Sequence, residues 1–75
     1  INFSNIMNNL EFDIYVYLNN LRLALDDRTA TGIANAMRVS KDMAGDKLKE
    51  MVSSGLLDVE KVGSSNVYFV KVAQQ

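Results

Sequence analysis

Residues 29–70 read TATGIANAMRVSKDMAGDKLKEMVSSGLLDVEKVGSSNVYFV. Two short segments of helical period come first, then two strand-like runs around a glycine–serine turn. In the first segment Ala30, Ile33, Ala34 and Met37 recur at three- and four-residue steps, which places them on one face of a helix. Small alanines on that face permit a close crossing with a second helix. Thr29 or Thr31 is its N-cap, because a hydroxyl accepts from the unpaired amides of a first turn. Gly32 is unusual at such a place. Arg38-Val39-Ser40 makes the turn, with Val39 plugging the space between helices and Ser40 capping the next one. There Ala44, Leu48, Met51 and Val52 share the buried side, and Gly55 stops the helix. Leu56–Val62 and Val67–Val72 flank Gly63-Ser64-Ser65-Asn66, the signature of a β-hairpin. Val59 on one strand with Tyr68, Val70 and Val72 on the other supplies its inward face.

Upstream, Leu10, Ile14, Tyr17, Leu18, Leu21 and Leu25 form one apolar stripe, so a helix is expected from about Ser4 to Leu25, or with a break near Asn8-Asn9. Residues 1–10 then form a helical extension of a single 1–75 domain. Phe12, Val16 and Leu23 fall about 180° from the first stripe at 100° per residue. A helix apolar on both sides buries one against its own core and the other against a partner. Homodimerisation through Phe12, Val16 and Leu23 is therefore expected. Scattered exposed hydrophobes are the alternative.

Composition narrows the function classes. The chain has 75 residues, no cysteine and no histidine. No disulfide or thiolate metal site supplements a core that buries only about 60% of the unfolded surface. The commonest general base and metal ligand is missing as well. A catalytic site would need an acid pair or lysine in a deep pocket, which so short a chain cannot build. Gly32, Gly45, Gly55 and Gly63 are isolated and make no phosphate loop. Asp26-Asp27 reads as a helix terminus, since no further oxygen ligands follow at loop spacing. No enzyme, cofactor or metal is expected. No apolar run approaches the roughly 20 residues of a membrane span, and a cytoplasmic or nucleoid-associated setting is expected. The chain starts at Ile1, which leaves a longer parent open.

Net charge is −1, yet it is unevenly spread. Residues 1–27 hold Arg22 against Glu11, Asp13, Asp26 and Asp27, a balance of −3. Residues 28–75 hold seven bases against five acids, a balance of +2. Such asymmetry hints at a basic working face.

The pieces ThrGlyIleAlaAsnAlaMet, ValSerLys, Leu48 with Met51, SerGlyLeuLeu, the GSSN tip and ValTyrPheVal together resemble the winged helix-turn-helix superfamily of small bacterial, archaeal, phage and plasmid regulators. The resemblance implies an α+β domain with a long first helix, a two-helix motif and a C-terminal hairpin wing. It further implies double-stranded DNA as partner, with the third helix in the major groove and the wing on the neighbouring backbone. A dimeric transcriptional regulator is the first expectation. A plasmid or phage segregation (partition) or replication adaptor is an alternative, as the long first helix looks like some plasmid adaptors. Another is a domain docking a protein, as some members of the superfamily do.

Under that resemblance the third helix presents Asp42, Asp46, Lys49, Glu50 and Ser53, with Met43 and Lys47 on one flank. Carboxylates repel phosphates, but Asp42 suits the helix dipole and Asp46 can accept from cytosine N4. A solvated surface with local ion pairs is the competing reading of Asp46, Lys49 and Glu50. The positioning contacts are Arg38, Ser40 and Lys41 at the third helix, Thr29 and Thr31 at the amino end of the second, and Lys61, Ser64, Ser65 and Asn66 at the wing. Small polar residues are also what any hairpin turn prefers.

Overall fold

The asparagines at 19 and 20 end the first helix seven residues before the apolar stripe does. A computed structural model describes residues 9–71; Ser4 to Asn8, the proposed start of that helix, and Val72 lie outside the described residues. Helix α1 spans Asn9–Leu18, a 3-10 turn spans Leu25–Arg28, α2 spans Ala30–Met37 and α3 spans Lys41–Ser53. Strands β1, Leu57–Val62, and β2, Ser65–Val70, form an antiparallel pair. Among the described residues the domain is α+β, three helices followed by a hairpin. No described helix is long and apolar enough to cross a membrane.

Where the expected helix continued to Leu25, the Asn20 side chain accepts from the Arg22 amide at 3.0 Å. Asparagine closes such a turn because its carbonyl competes with the helical acceptor. Leu21 and Leu25 therefore leave the stripe, and Leu21 is 92% exposed. Leu10, Ile14, Tyr17 and Leu18 stay on it and face the core. Leu23 no longer shares a face with Phe12 and Val16. It lies beyond the helix and packs against the core.

That core joins Ile14 and Leu18 of α1, Ile33 of α2, Leu48 and Met51 of α3, and Leu57 of β1. Ala34 and Ala44 are buried too, and their small side chains allow α2 and α3 to cross closely. Thr29 caps α2 by accepting from the Gly32 amide at 3.1 Å, and Ser40 caps α3 by accepting from the Met43 amide at 3.1 Å. Both helices close the same way. In α3 the Leu56 amide reaches back to the Met51 carbonyl and the Gly55 amide to Val52, with Gly55 at φ +86°. In α2 the Val39 and Arg38 amides reach back to Ala34 and Asn35. There the left-handed residue is Arg38, at φ 62° and ψ 42°, where glycine is usual. Val39 is only half-buried, so it plugs the helix crossing less completely than its position suggested.

Gly32 has its explanation in the turn before α2. A Cβ there would lie 2.5 Å from the Asp26 carbonyl oxygen and 2.9 Å from the Asp27 Cα. The chain crosses itself too tightly for any side chain.

The hairpin is tighter than its composition suggests. Val62 pairs with Ser65 and Lys61 with Asn66, so only Gly63 and Ser64 form the turn. Gly63 has φ +63° and Ser64 has no positive φ, as a two-residue turn with glycine first requires. Val59, paired with Tyr68 in the ladder, is 44% exposed and not inward as its spacing indicated. Tyr68 and Val70 do pack against the core. Val67 is buried on the opposite face of the strand.

Candidate functional site

The second helix begins where the hairpin tip ends. Thr29, Ala30 and Thr31 at the amino end of α2, Lys41 at the start of α3, and Ser64, Ser65, Asn66 and Tyr68 of the hairpin line one cleft of about 260 Å³. Residues thirty or more positions apart meet there because β2 runs back along the helical layer. Helix geometry leaves the first-turn amides of α2 without intrahelical acceptors. Thr29 answers the Gly32 amide while donating its own hydroxyl proton to the Asp26 carbonyl at 2.8 Å. Its side chain is thus committed to holding the turn, and it lines the cleft as a wall. Ala30 and Thr31 of the first turn and exposed Lys41 line the rest of this polar, open space. Such a lining suits an anion.

Other nominated residues are placed apart from this cleft. Lys61 faces Asn66 across the ladder, on the same side of the hairpin, but stands outside the cleft. Arg38 and Ser40 lie in the exposed α2–α3 turn, with Ser40 engaged as a cap. Asp42, Met43 and Asp46 are exposed on α3, along with Lys49, Glu50 and Ser53.

Lys47 departs most from expectation. Its ammonium lies 3.7 Å from Glu11 of α1 and 3.5 Å from Glu50, and its side chain is only 24% exposed. It braces α3 against α1 rather than standing free to read a base edge. Such half-exposed pairs are weakly stabilising, but they fix where the side chain points.

Arg28 is the residue that pattern reasoning missed. Grouped with the bases of a basic half, it is in fact 3% exposed, so without it the balance of residues 28–75 falls to +1. Its guanidinium donates to the carbonyls of Leu18 at 3.1 Å, Tyr68 at 3.2 Å and Asn20 at 2.7 Å. It also stacks 4.7 Å from the Phe69 ring centroid. A planar fork with five donors can serve three carbonyls at once. The end of α1, the loop after it and β2 are tied together by this one side chain. Nearby, Tyr17 donates to the Asp27 carbonyl at 3.1 Å. Burial pushes its phenol above the ordinary value, the Asp27 charge adds to this, and Arg28 opposes it.

A second, apolar groove of about 400 Å³ lies between α1 and α2, lined by Phe12, Asp13, Val16, Tyr17, Ala36 and Met37. It touches the carboxyl half of α2, away from the polar cleft at its amino end. Val16 is 54% exposed there. Neither a protein-family model nor a curated protein nor a solved structure matches this chain.

Proposed function

We propose that the chain is a winged helix-turn-helix domain that binds double-stranded DNA, with α3 toward the major groove and the hairpin against the adjoining backbone. One observation carries this reading. The positioning residues nominated from sequence, Thr31, Lys41, Ser64, Ser65 and Asn66, converge on a single polar cleft that includes the amino end of α2. Amides, hydroxyls and an ammonium around one concavity suit a phosphate better than any other common ligand. Transcriptional regulation is the role we favour, with DNA segregation or replication as the alternative.

The same reading includes a homodimer, so that two α3 helices meet a repeated or palindromic site. Phe12 and Val16 belong to its contact face, and Leu23, packed on the core, does not. Because the apolar groove lies at the other end of α2, pairing there leaves the polar cleft open.

A mobility-shift titration at low salt, with duplex fragments from the native locus, tests the proposal. Saturable binding at micromolar protein, weakening steeply with salt, is expected. Lys41→Ala and Arg38→Ala should each lower the salt slope by about one unit for a lost phosphate contact. Asp46→Ala should instead alter sequence preference if the carboxylate accepts from cytosine, and tighten all binding if it only repels phosphate. Absence of saturable binding rejects DNA as the partner.

One specific feature favours a second reading. The outer face of α3 carries Asp42, Asp46 and Glu50 beside Lys49, and all four are exposed. An acidic helix face suits a basic protein surface. Tight capture of a protein by a chain that ignores duplex DNA would select that reading.

A further inference from the structure

Three of the four glycines have a reason within the chain. Gly32 has no room for a Cβ, while Gly55 and Gly63 adopt positive φ. Gly45 has neither reason. It sits inside the thirteen-residue helix α3, its φ is not positive, and a Cβ built there meets nothing within 4 Å. An interior helical glycine surrenders backbone entropy that alanine would not. Conformation, space and packing all permit a side chain, and the helix would be more stable with one. Among the described residues nothing calls for glycine here, which leaves room for a partner that approaches the helix backbone more closely than a Cβ allows.

Gly45 stands one turn after Lys41 and one turn before Lys49, so the three residues share a row along α3. Both lysines are exposed, and among the described residues neither has an ion-pair partner. The row starts at the polar cleft, since Lys41 lines it. Asp42, Asp46 and Glu50 form a separate row, about 100° round the helix from the lysines. An anionic partner thus meets its best potential along the lysine row, and the least steric hindrance at its centre.

We propose that the row Lys41–Gly45–Lys49 is where one sugar-phosphate strand of duplex DNA crosses α3. Its backbone seats against the bare peptide at Gly45, with an ammonium on either side. Residues 41 and 49 are about 12 Å apart along the axis at 1.5 Å per residue, so the pair brackets the crossing. The inference rests on the DNA-binding reading above and assigns α3 a backbone contact on this flank, distinct from base reading by its acidic crest.

The test measures fluorescence anisotropy of a labelled mixed-sequence 20-base-pair duplex at low salt for wild type, Gly45→Ala and Gly45→Leu. Thermal melts of the same three proteins accompany it. Both variants should melt about 2–6 °C higher, as a glycine-to-helix-former change in so small a domain requires. Duplex affinity should fall about threefold for Ala and at least about tenfold for Leu. Wild-type binding with a Leu variant that binds within twofold overturns the proposal and leaves the DNA reading standing. Wild type without salt-dependent binding overturns both. Variants that melt below wild type show that the fold itself needs Gly45, which also overturns it.

Discussion

Replacing Arg28 by methionine isolates the one buried cation among the described residues. The longer stem is kept, so lost packing is small. The Leu18 carbonyl loses its buried donor, and an orphaned buried acceptor costs about 1–3 kcal/mol. The carbonyls of Tyr68 and Asn20 lie at part-buried positions, where water replaces the guanidinium, and they add less. Loss of the stack on Phe69 removes about 0.5–2 kcal/mol. These losses are partly offset because the variant no longer strips water from a cation. A net destabilisation of about 2–3 kcal/mol is expected from these components. For a domain of this size the total stability is about 4–11 kcal/mol, so the change is a large fraction of it. In urea, with a slope of about 1 kcal/mol per molar, the midpoint should drop by about 2–3 M. Arg28→Lys keeps the charge, but one ammonium on a flexible stem cannot span three carbonyls on three segments. It should recover less than half of the loss. Equilibrium unfolding followed by circular dichroism at 222 nm reads both variants. A methionine variant with an unchanged midpoint and slope would refute the reasoning. A lysine variant equal to wild type would show that charge matters and the fork does not.

Gly32→Ala should destabilise by about 1–3 kcal/mol, since its Cβ meets backbone that cannot move aside; a wild-type melting temperature would contradict the close crossing. Arg38→Gly should stabilise by up to about 1 kcal/mol by relieving left-handed strain, yet weaken duplex binding, and a variant moving both quantities in the same direction would sever the two roles. Tyr17 has its phenol raised, so its contribution is present below the unfolded value of 10.0 and fades as pH climbs through the folded one. Urea midpoints measured from pH 8 upward should therefore fall more steeply for wild type than for Tyr17→Phe, and parallel curves would exclude this phenol as the cause. Val16→Asp should give a monomer by sedimentation velocity, because an unpaired carboxylate cannot be buried in a symmetric contact. Wild type already monomeric at tens of micromolar would remove the dimer.

Much of the architecture is decided over short distances, and the sequence by itself determines that part. Helix periodicity, the caps at Thr29 and Ser40, the stop at Gly55 and the turn beginning at Gly63 depend on neighbours within about one turn, so residue type and spacing are enough to place them. The α3 core face of Ala44, Leu48 and Met51 was legible for the same reason, and of the residues lining the polar cleft Thr29, Thr31, Lys41, Ser64, Ser65 and Asn66 could be named one by one. Their convergence was not, because it needs the path of the hairpin over the helices. Only tertiary structure decided that Arg28 is buried, that Lys47 turns toward Glu11, and that Leu21 and Leu25 leave the core. An arginine after two aspartates looks like any solvated terminus until three carbonyls from Leu18, Asn20 and Tyr68 close around it. Likewise, the apolar stripe from Leu10 to Leu25 carries the right period throughout. A helix ends where competing hydrogen bonds win: the Asn20 side chain takes the Arg22 amide two residues on, and Arg28 ties that loop to Tyr68 of a strand forty residues away. Gly32 and Gly45 are the same letter in the sequence. One is forced by a backbone 2.5 Å away, a Cβ on the other meets no described residue within 4 Å, and only the folded chain tells them apart.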